Sequence, residues 1–333
     1  MGKREIRDSA FTAARVSRII IPMQDVLFSF GIIIIAGALF RRIRPAGIDP
    51  GEVRAVINAC VLNLFLPALC IKTLYQSPVD LETVLVPATA WITTGGSLLL
   101  AAAVYAALGK KMHLSPREKG VLIIAAAFGN VTYLGLPVLT NLFGSTAAKY
   151  ALFYDLLATT PLLWLAGAAL ASRYGEGKSF DLKESWKTIA FLPPVWGIFI
   201  GMALHQIQAP LPLSVLKTLD MLGSLVVPLM IFSIGLALSL PKVRHAYAVF
   251  PAVLIKLAAG PVIAHATARM LGLTGVALAS CSIEGAMPAM VLSLLVAARF
   301  GLDVSLAAFV IVVTTVLSFF TLPAVIYLGS LVP

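Results

Sequence analysis

The sequence predicts an all-α, polytopic membrane protein, and three observations lead to that class. Hydrophobic residues fill 59% of the 333 positions and charged residues only 12%, with a mean hydropathy of +0.96. A soluble domain is roughly 45–50% apolar and about 25% charged. Apolar runs near the length of about 20 residues that crosses a bilayer as helix recur ten times. Basic residues gather in alternate gaps between those runs, which is how membrane orientation is encoded.

The runs justify ten spans in order. Span 1 (24–41) ends on Arg41, Arg42 and Arg44. Span 2 (53–75) carries Asn58, Asn63 and Pro67. Span 3 (84–108) is followed by Lys110 and Lys111. Span 4 (119–143) is apolar, yet its centre holds Gly129, Asn130, Thr132, Gly135 and Pro137, poor material for a continuous helix. Span 5 (146–172) carries Asp155. Span 6 (186–207) follows a polar loop, 173–185. Span 7 (214–239) contains Pro228, and span 8 (246–268) contains Lys256 and His265. Span 9 (273–298) is interrupted by "EGAMPAM" at 284–290. Span 10 is 303–330.

Charge then orients the chain. The gaps after spans 1, 3, 5, 7 and 9 hold most of the basic residues, among them Arg41, Lys110, Lys178, Lys242, Arg244 and Arg299. The opposite gaps hold Lys72, Lys149, Lys217 and Arg269. The richer side is cytoplasmic, which leaves both termini outside. The net charge of +10 is therefore topological and gives no reason to expect nucleic acid. Residues 1–22 break the pattern with five basic groups on the outer side. They read as a surface-lying amphipathic tail or as an upstream extension of a chain that starts at Met23. Cys60, Cys70 and Cys281 all lie in apolar runs, with no metal-site spacing and no reason to pair. No nucleotide loop, zinc motif or nucleophile motif is present, so neither an enzyme nor an organic cofactor is expected.

Self-similarity divides the chain. "FGSTAAKYALF" (143–153) resembles "FGLDVSLAAFV" (300–310), and "LFLPALCIKTL" (64–74) resembles "LVVPLMIFSIG" (225–235). "YLGLPVL" (133–139) resembles "EGAMPAM", pairing Pro137 with Pro288 and Gly135 with Ala286. The reading is a tail (1–22), repeat 1 (23–172), a cytoplasmic loop (173–185) and repeat 2 (186–333). Five spans is an odd number, so the second copy runs inverted. Inverted repeats with interrupted helices are a transporter signature, with the site near the midplane. Irregular backbone at membrane depth survives only inside protein or along a wet cavity. Two breaks, at 129–137 and 284–288, are therefore expected to cross. Their helix N-termini favour an anion and their carbonyl ends a cation, which suits a small carboxylate taken up with sodium or a proton.

Ionisable groups at depth mark the same place, because a charge there costs at least ~2.5–3.5 kcal/mol. Glu284 lies mid-span and must be neutral, paired or cation-bound. Lys256 needs an acidic or carbonyl partner, with Glu284 and Asp155 as candidates. Asp155 is a proton site or faces an outer vestibule. Asn63 and Asn58 line a substrate path or act as interhelical glue, and His265 is structural. The candidate substrate contacts are Asn130, Tyr133, Gly135, Pro137, Glu284, Gly285, Pro288 and Asn63. The candidate coupling groups are Glu284, Asn130, Asp155 and Lys256, with sodium expected at Glu284 and Asn130.

At these residues the sequence resembles the auxin efflux carrier family. The resemblance is carried by "GNVTYLGLP" (129–137), "LNLFLPAL" (62–69), "VVPLMIFSIGLAL" (226–238), the Lys of "VLIKLAAGPVI" (253–263) and "EGAMPAMVLSLLVAARFG" (284–301), and it spans nearly all of 23–333. It implies ten helices as two inverted five-helix repeats, with spans 4 and 9 crossing. It implies a scaffold of spans 1, 2, 6 and 7 that forms a homodimer, and a transport unit of the other spans that moves as an elevator. It further implies residence in the bacterial inner membrane and organic-anion substrates such as auxin, malonate or malate. Glu284 departs from it and is closer to the sodium-site glutamate of the bile-acid/sodium symporter superfamily. The other classes compatible with these residues are an anion channel or uniporter and a ligand sensor. An aspartyl intramembrane protease needs two carboxyls in one site, and neither Asp155 nor Glu284 sits in such a motif.

Overall fold

The computed structural model describes residues 28–237 and 245–331. The tail 1–22, the Met23 start, Lys242 and Arg244 lie outside them. The described chain is helical: α1 (28–43), α2 (Pro50–Tyr75), α3 (Glu82–Leu108), α4 (Pro116–Ala127), α5 (Val131–Phe143), α6 (Ser145–Tyr174), α7 (Leu182–Ala190), α8 (Pro193–Gln206), α9 (Leu213–Ala237), α10 (Ala246–Met270), α11 (Gly275–Gly285), α12 (Ser293–Phe300) and α13 (Val304–Leu331). Six of these, α2, α3, α6, α9, α10 and α13, are long and apolar enough to cross a membrane. Expected spans 4 and 9 are each two shorter helices, α4 with α5 and α11 with α12. Span 6 differs from expectation. It starts at Pro193, and the stretch before it forms a separate helix, α7, bent 49° from α8. The cause is Pro193–Pro194, which leaves Leu192 extended and allows no helix to continue into it.

Prolines shape the long helices in one recurring way. Segments Val61–Phe65, Val131–Gly135, Asp155–Thr159 and Ile255–Ala259 are wide π turns, and each is followed directly by X-Pro: Pro67, Pro137, Pro161 and Pro261. A proline has no N–H and its ring clashes with the carbonyl four residues back. The backbone relieves both by opening one turn to five-residue spacing. The amides of Leu66, Leu136, Thr160 and Gly260 bond to Val61, Val131, Asp155 and Ile255.

The helices pack as two groups. In the first, Gly37 of α1 meets the backbone of α9 at Gly235, and Gly197 and Gly201 of α8 meet α2 at Pro67, Cys70, Ile71 and Leu74. Side chains at these glycines would collide with the facing helix, the small-residue logic of membrane packing. Ser233 of α9 donates to Asn58 of α2 at 3.0 Å, so Asn58 is interhelical glue. The second group packs α3 against α4 and α10, α10 against α11, and α13 against α4 and α11. Tyr105 ties α3 to α10 by donating to Ala248 O at 2.8 Å and accepting from Ala252 N at 3.0 Å.

Candidate functional site

The two breaks meet in the buried centre of the second group. The first break is short, Phe128–Asn130, and the second runs 286–292. They join as an antiparallel bridge, Gly129 opposite Ala289. Asn130 N donates to Pro288 O at 2.8 Å, and Met290 N donates to Phe128 O at 2.9 Å. The exchange satisfies backbone groups that no water could reach. Thr314 of α13 completes it, accepting from Ala289 N at 3.1 Å while its own hydroxyl closes on Val310 O at 2.8 Å.

One sequence expectation is corrected here. Pro137 is not in the break. It stands seven residues beyond Asn130, in the first turn after the wide segment Val131–Gly135, where its ring widens the helix without interrupting it. The contact between the two breaks is made by Gly129 and Ala289, ahead of the proline in the first and directly after it in the second.

Around the bridge the structure collects most of the predicted residues. Glu284 is 1% exposed in the last turn of α11, and neither carboxyl oxygen has a hydrogen-bond partner among the described residues. Its carboxyl lies against Gly135 so closely that a Cβ there would fall on it. Asn130 is 3% exposed, and its side-chain amide nitrogen has no hydrogen-bond partner among the described residues. The Tyr133 hydroxyl is in the same condition. Gly285 packs on Gly260 and Ala264, and its carbonyl accepts from Lys256 Nζ at 3.1 Å. Lys256 also lines the niche beside Gly129. Its partner is thus a carbonyl, and its hydrogen bond goes to neither Glu284 nor Asp155.

Asp155 is buried and faces no vestibule, which removes that alternative. Its carboxylate accepts from the Thr132 hydroxyl and, at 2.8 Å, from the Thr160 hydroxyl. Asp155 is thus tied by the Thr132 hydroxyl to the start of α5, the seat that the sequence offered to an anion. Asn63 is not brought to the centre. It is exposed on α2, with its amide closed on Ala59 O at 2.8 Å. His265 meets Ser282 at 3.1 Å, linking α10 to α11. Thr160 and Thr314 were not singled out from sequence, because a threonine in an apolar span carries no distinguishing pattern.

On the basic side, Ser115 caps α4 and its amide bonds to Glu118 at 2.8 Å, while His245 Nδ1 approaches the other Glu118 oxygen at 2.6 Å. Partial burial pushes the Glu118 carboxyl up, but the hydrogen bonds from His245 and Ser115 outweigh it and hold the group below its usual range. Glu184 is held low by Lys178 and Arg299.

Known proteins resemble the chain over most of its length. An "Uncharacterized transporter" of Methanothermobacter thermautotrophicus is 29% identical over 83% of this chain and 89% of its own. Another, from Methanocaldococcus jannaschii, is 29% identical over 90% and 96%. A "Putative malonate transporter" of Rhizobium meliloti is 25% identical over 84% and 88%. The sequence model of one family, described as "Membrane transport protein", matches residues 21–326, and this chain belongs to that family.

Proposed function

We propose that the protein carries small organic anions, carboxylates in the range of auxin-like acids, malonate and malate, across the bacterial inner membrane by alternating access. One observation carries the reading. Two interrupted helices bond to each other through Gly129 and Ala289 inside a protein core, and the same place holds buried Asn130, Glu284 and Lys256. Irregular backbone and ionisable groups at one depth are the marks of a solute path. The name of the Rhizobium relative agrees with the substrate class.

The finer mechanism is part of the proposal. Ten spans form two inverted repeats. Helices α1, α2, α8 and α9 are the fixed, dimerising scaffold, and the remainder is the moving unit. The separate packing of the two groups supports this division. A coupling cation, sodium or a proton, is read at Glu284 with Asn130, because a buried carboxyl without a hydrogen-bond partner needs one or the other.

Accelerated exchange in proteoliposomes tests the carrier. Labelled carboxylate inside should leave faster when unlabelled carboxylate is added outside, and rates should saturate. Unsaturable flux without counterflow means a channel, and binding without flux means a sensor. Asn130→Ala should cut exchange at least ten-fold with an unchanged melting temperature; full exchange would remove Asn130 from the site. Glu284→Gln should abolish any melting shift produced by sodium, and a shift that survives would overturn the sodium assignment.

A further inference from the structure

Helix α7 (Leu182–Ala190) has nine residues, too few to cross a bilayer, and it is joined to α8 by the 49° bend at Pro193–Pro194. Its residues sort by side. Ser185 and Ile189 are buried, and the helix packs on Leu163–Gly167 of α6. Leu182 and Trp186, four residues apart and so on one face, are each 54% exposed. Lys183 and Lys187 form the next stripe round the helix. Both are exposed, and neither forms an ion pair among the described residues. Beyond the helix end, Phe191 is exposed, and so is Trp196 of α8, whose indole N–H donates to Ala190 O at 2.7 Å.

Large apolar groups gathered on one exposed side mark a contact surface. A helix with Leu and Trp on one side and Lys beside them is the kind that lies in the plane of a bilayer surface. Tryptophan is favoured at that depth, and unpaired lysines there attract negative headgroups. The one acid of the helix, Glu184, lies on the far side from Trp186 and is already matched, by Arg299 at 2.7 Å and Lys178 at 3.0 Å.

Those ion pairs also fasten α7 at one end. Gly177 N donates to Phe300 O at 2.9 Å and Lys178 N to Arg299 O at 3.3 Å, so the start of α7 is held to the last turn of α12. Its other end passes into α8, which packs with α2 in the first group. The helix therefore bridges the two packed groups on the basic side.

We propose that α7 is a membrane-surface strap that binds anionic phospholipid, with Lys183 and Lys187 on the headgroup phosphates and Leu182, Trp186, Phe191 and Trp196 at the acyl boundary. The binding stands apart from the carrier reading; its effect on transport rests on that reading. Displacement of α12 relative to α8 must turn at the bend after α7, so the lipid that seats α7 governs the exchange rate.

Native mass spectrometry tests the binding on delipidated protein offered equal phosphatidylglycerol and phosphatidylcholine. Wild type should retain phosphatidylglycerol in preference by about ten-fold, and Lys183→Gln/Lys187→Gln should retain the two lipids alike. Lys110→Gln/Lys111→Gln removes the same charge from another exposed stretch of the basic side and should keep the preference. Equal loss in both double variants would mean diffuse attraction and overturn the site. Displacement of the lipid by inorganic phosphate would make it a soluble-anion site. A change in oligomer mass in Trp186→Ser, with lipid retention intact, would give the face to a second copy. Either result overturns the strap. In proteoliposomes, carboxylate exchange by wild type should rise about three-fold when one part phosphatidylglycerol joins about three of phosphatidylcholine, and the Lys183→Gln/Lys187→Gln variant should show no rise. An equal rise in that variant would overturn the control of transport by α7. Absence of exchange in every membrane would sink the carrier reading, while the lipid preference is judged by mass alone.

Discussion

Gly135 shows how one atom can guard a site. A side chain there would occupy the space of the Glu284 carboxyl, so it fits only if that carboxyl moves away. Gly135→Ala should therefore lower unfolding free energy by about 1–3 kcal/mol, the range for overpacking a filled core, and should displace Glu284. The control is Gly95→Ala in α3, where nothing lies within 4 Å of the new methyl; helix propensity predicts a change of at most ~1 kcal/mol in its favour. Melting both variants in detergent checks this, and equal responses would remove the steric account. Legibility at this scale followed chemistry. Asn130, Glu284 and Lys256 stood out because polar groups in apolar runs are anomalous. Thr160 and Thr314 did not, because a hydroxyl usually closes on its own helix and its exceptions are invisible in one sequence. Asn63 stood out from the sequence as well, but its amide closes on Ala59 of its own helix.

The prolines of the interrupted helices act at the scale of the element. Sequence reading treats Pro137 as the break. The structure makes it a widener, one of four that follow a five-residue π turn. The break itself depends on partners far along the chain, Pro288, Met290 and Thr314, and nothing local to 128–130 announces them. Two substitutions separate the accounts. Pro137→Ala should leave the bridge in place and change stability by no more than about 1 kcal/mol, because the wide turn has already absorbed the ring. Thr314→Val leaves the Ala289 amide without its acceptor where water is absent, and should cost about 1–3 kcal/mol. Thermal denaturation ranks them. If Pro137→Ala proves the more damaging, the proline holds the break open and the cross-chain bonds are secondary.

Across the whole molecule, long-range bonds fasten the basic face to the core, and pH reads one of them. The ten apolar runs and the charge bias were legible because bilayer thickness and loop charge act on composition alone. The bridge between the two breaks was not, because it depends on which residues meet at Gly129 and Ala289. Glu118 joins the start of α4 to His245, at the entry to α10. Its carboxyl is held below its usual range in the folded chain. A lowered folded value means that the ionised group stabilises the fold above the unfolded value of about 4.3. That contribution disappears as pH falls through the folded value. Glu118→Gln keeps the shape and removes the charge. Wild type should out-melt this variant at pH 7 by a margin worth about 1–2 kcal/mol, the scale of a hydrogen bond to a charged group that is largely shielded from water. The two melting temperatures should converge as pH drops below 4. A margin that persists unchanged to pH 3 would mean that Glu118 acts through packing, with its charge contributing nothing.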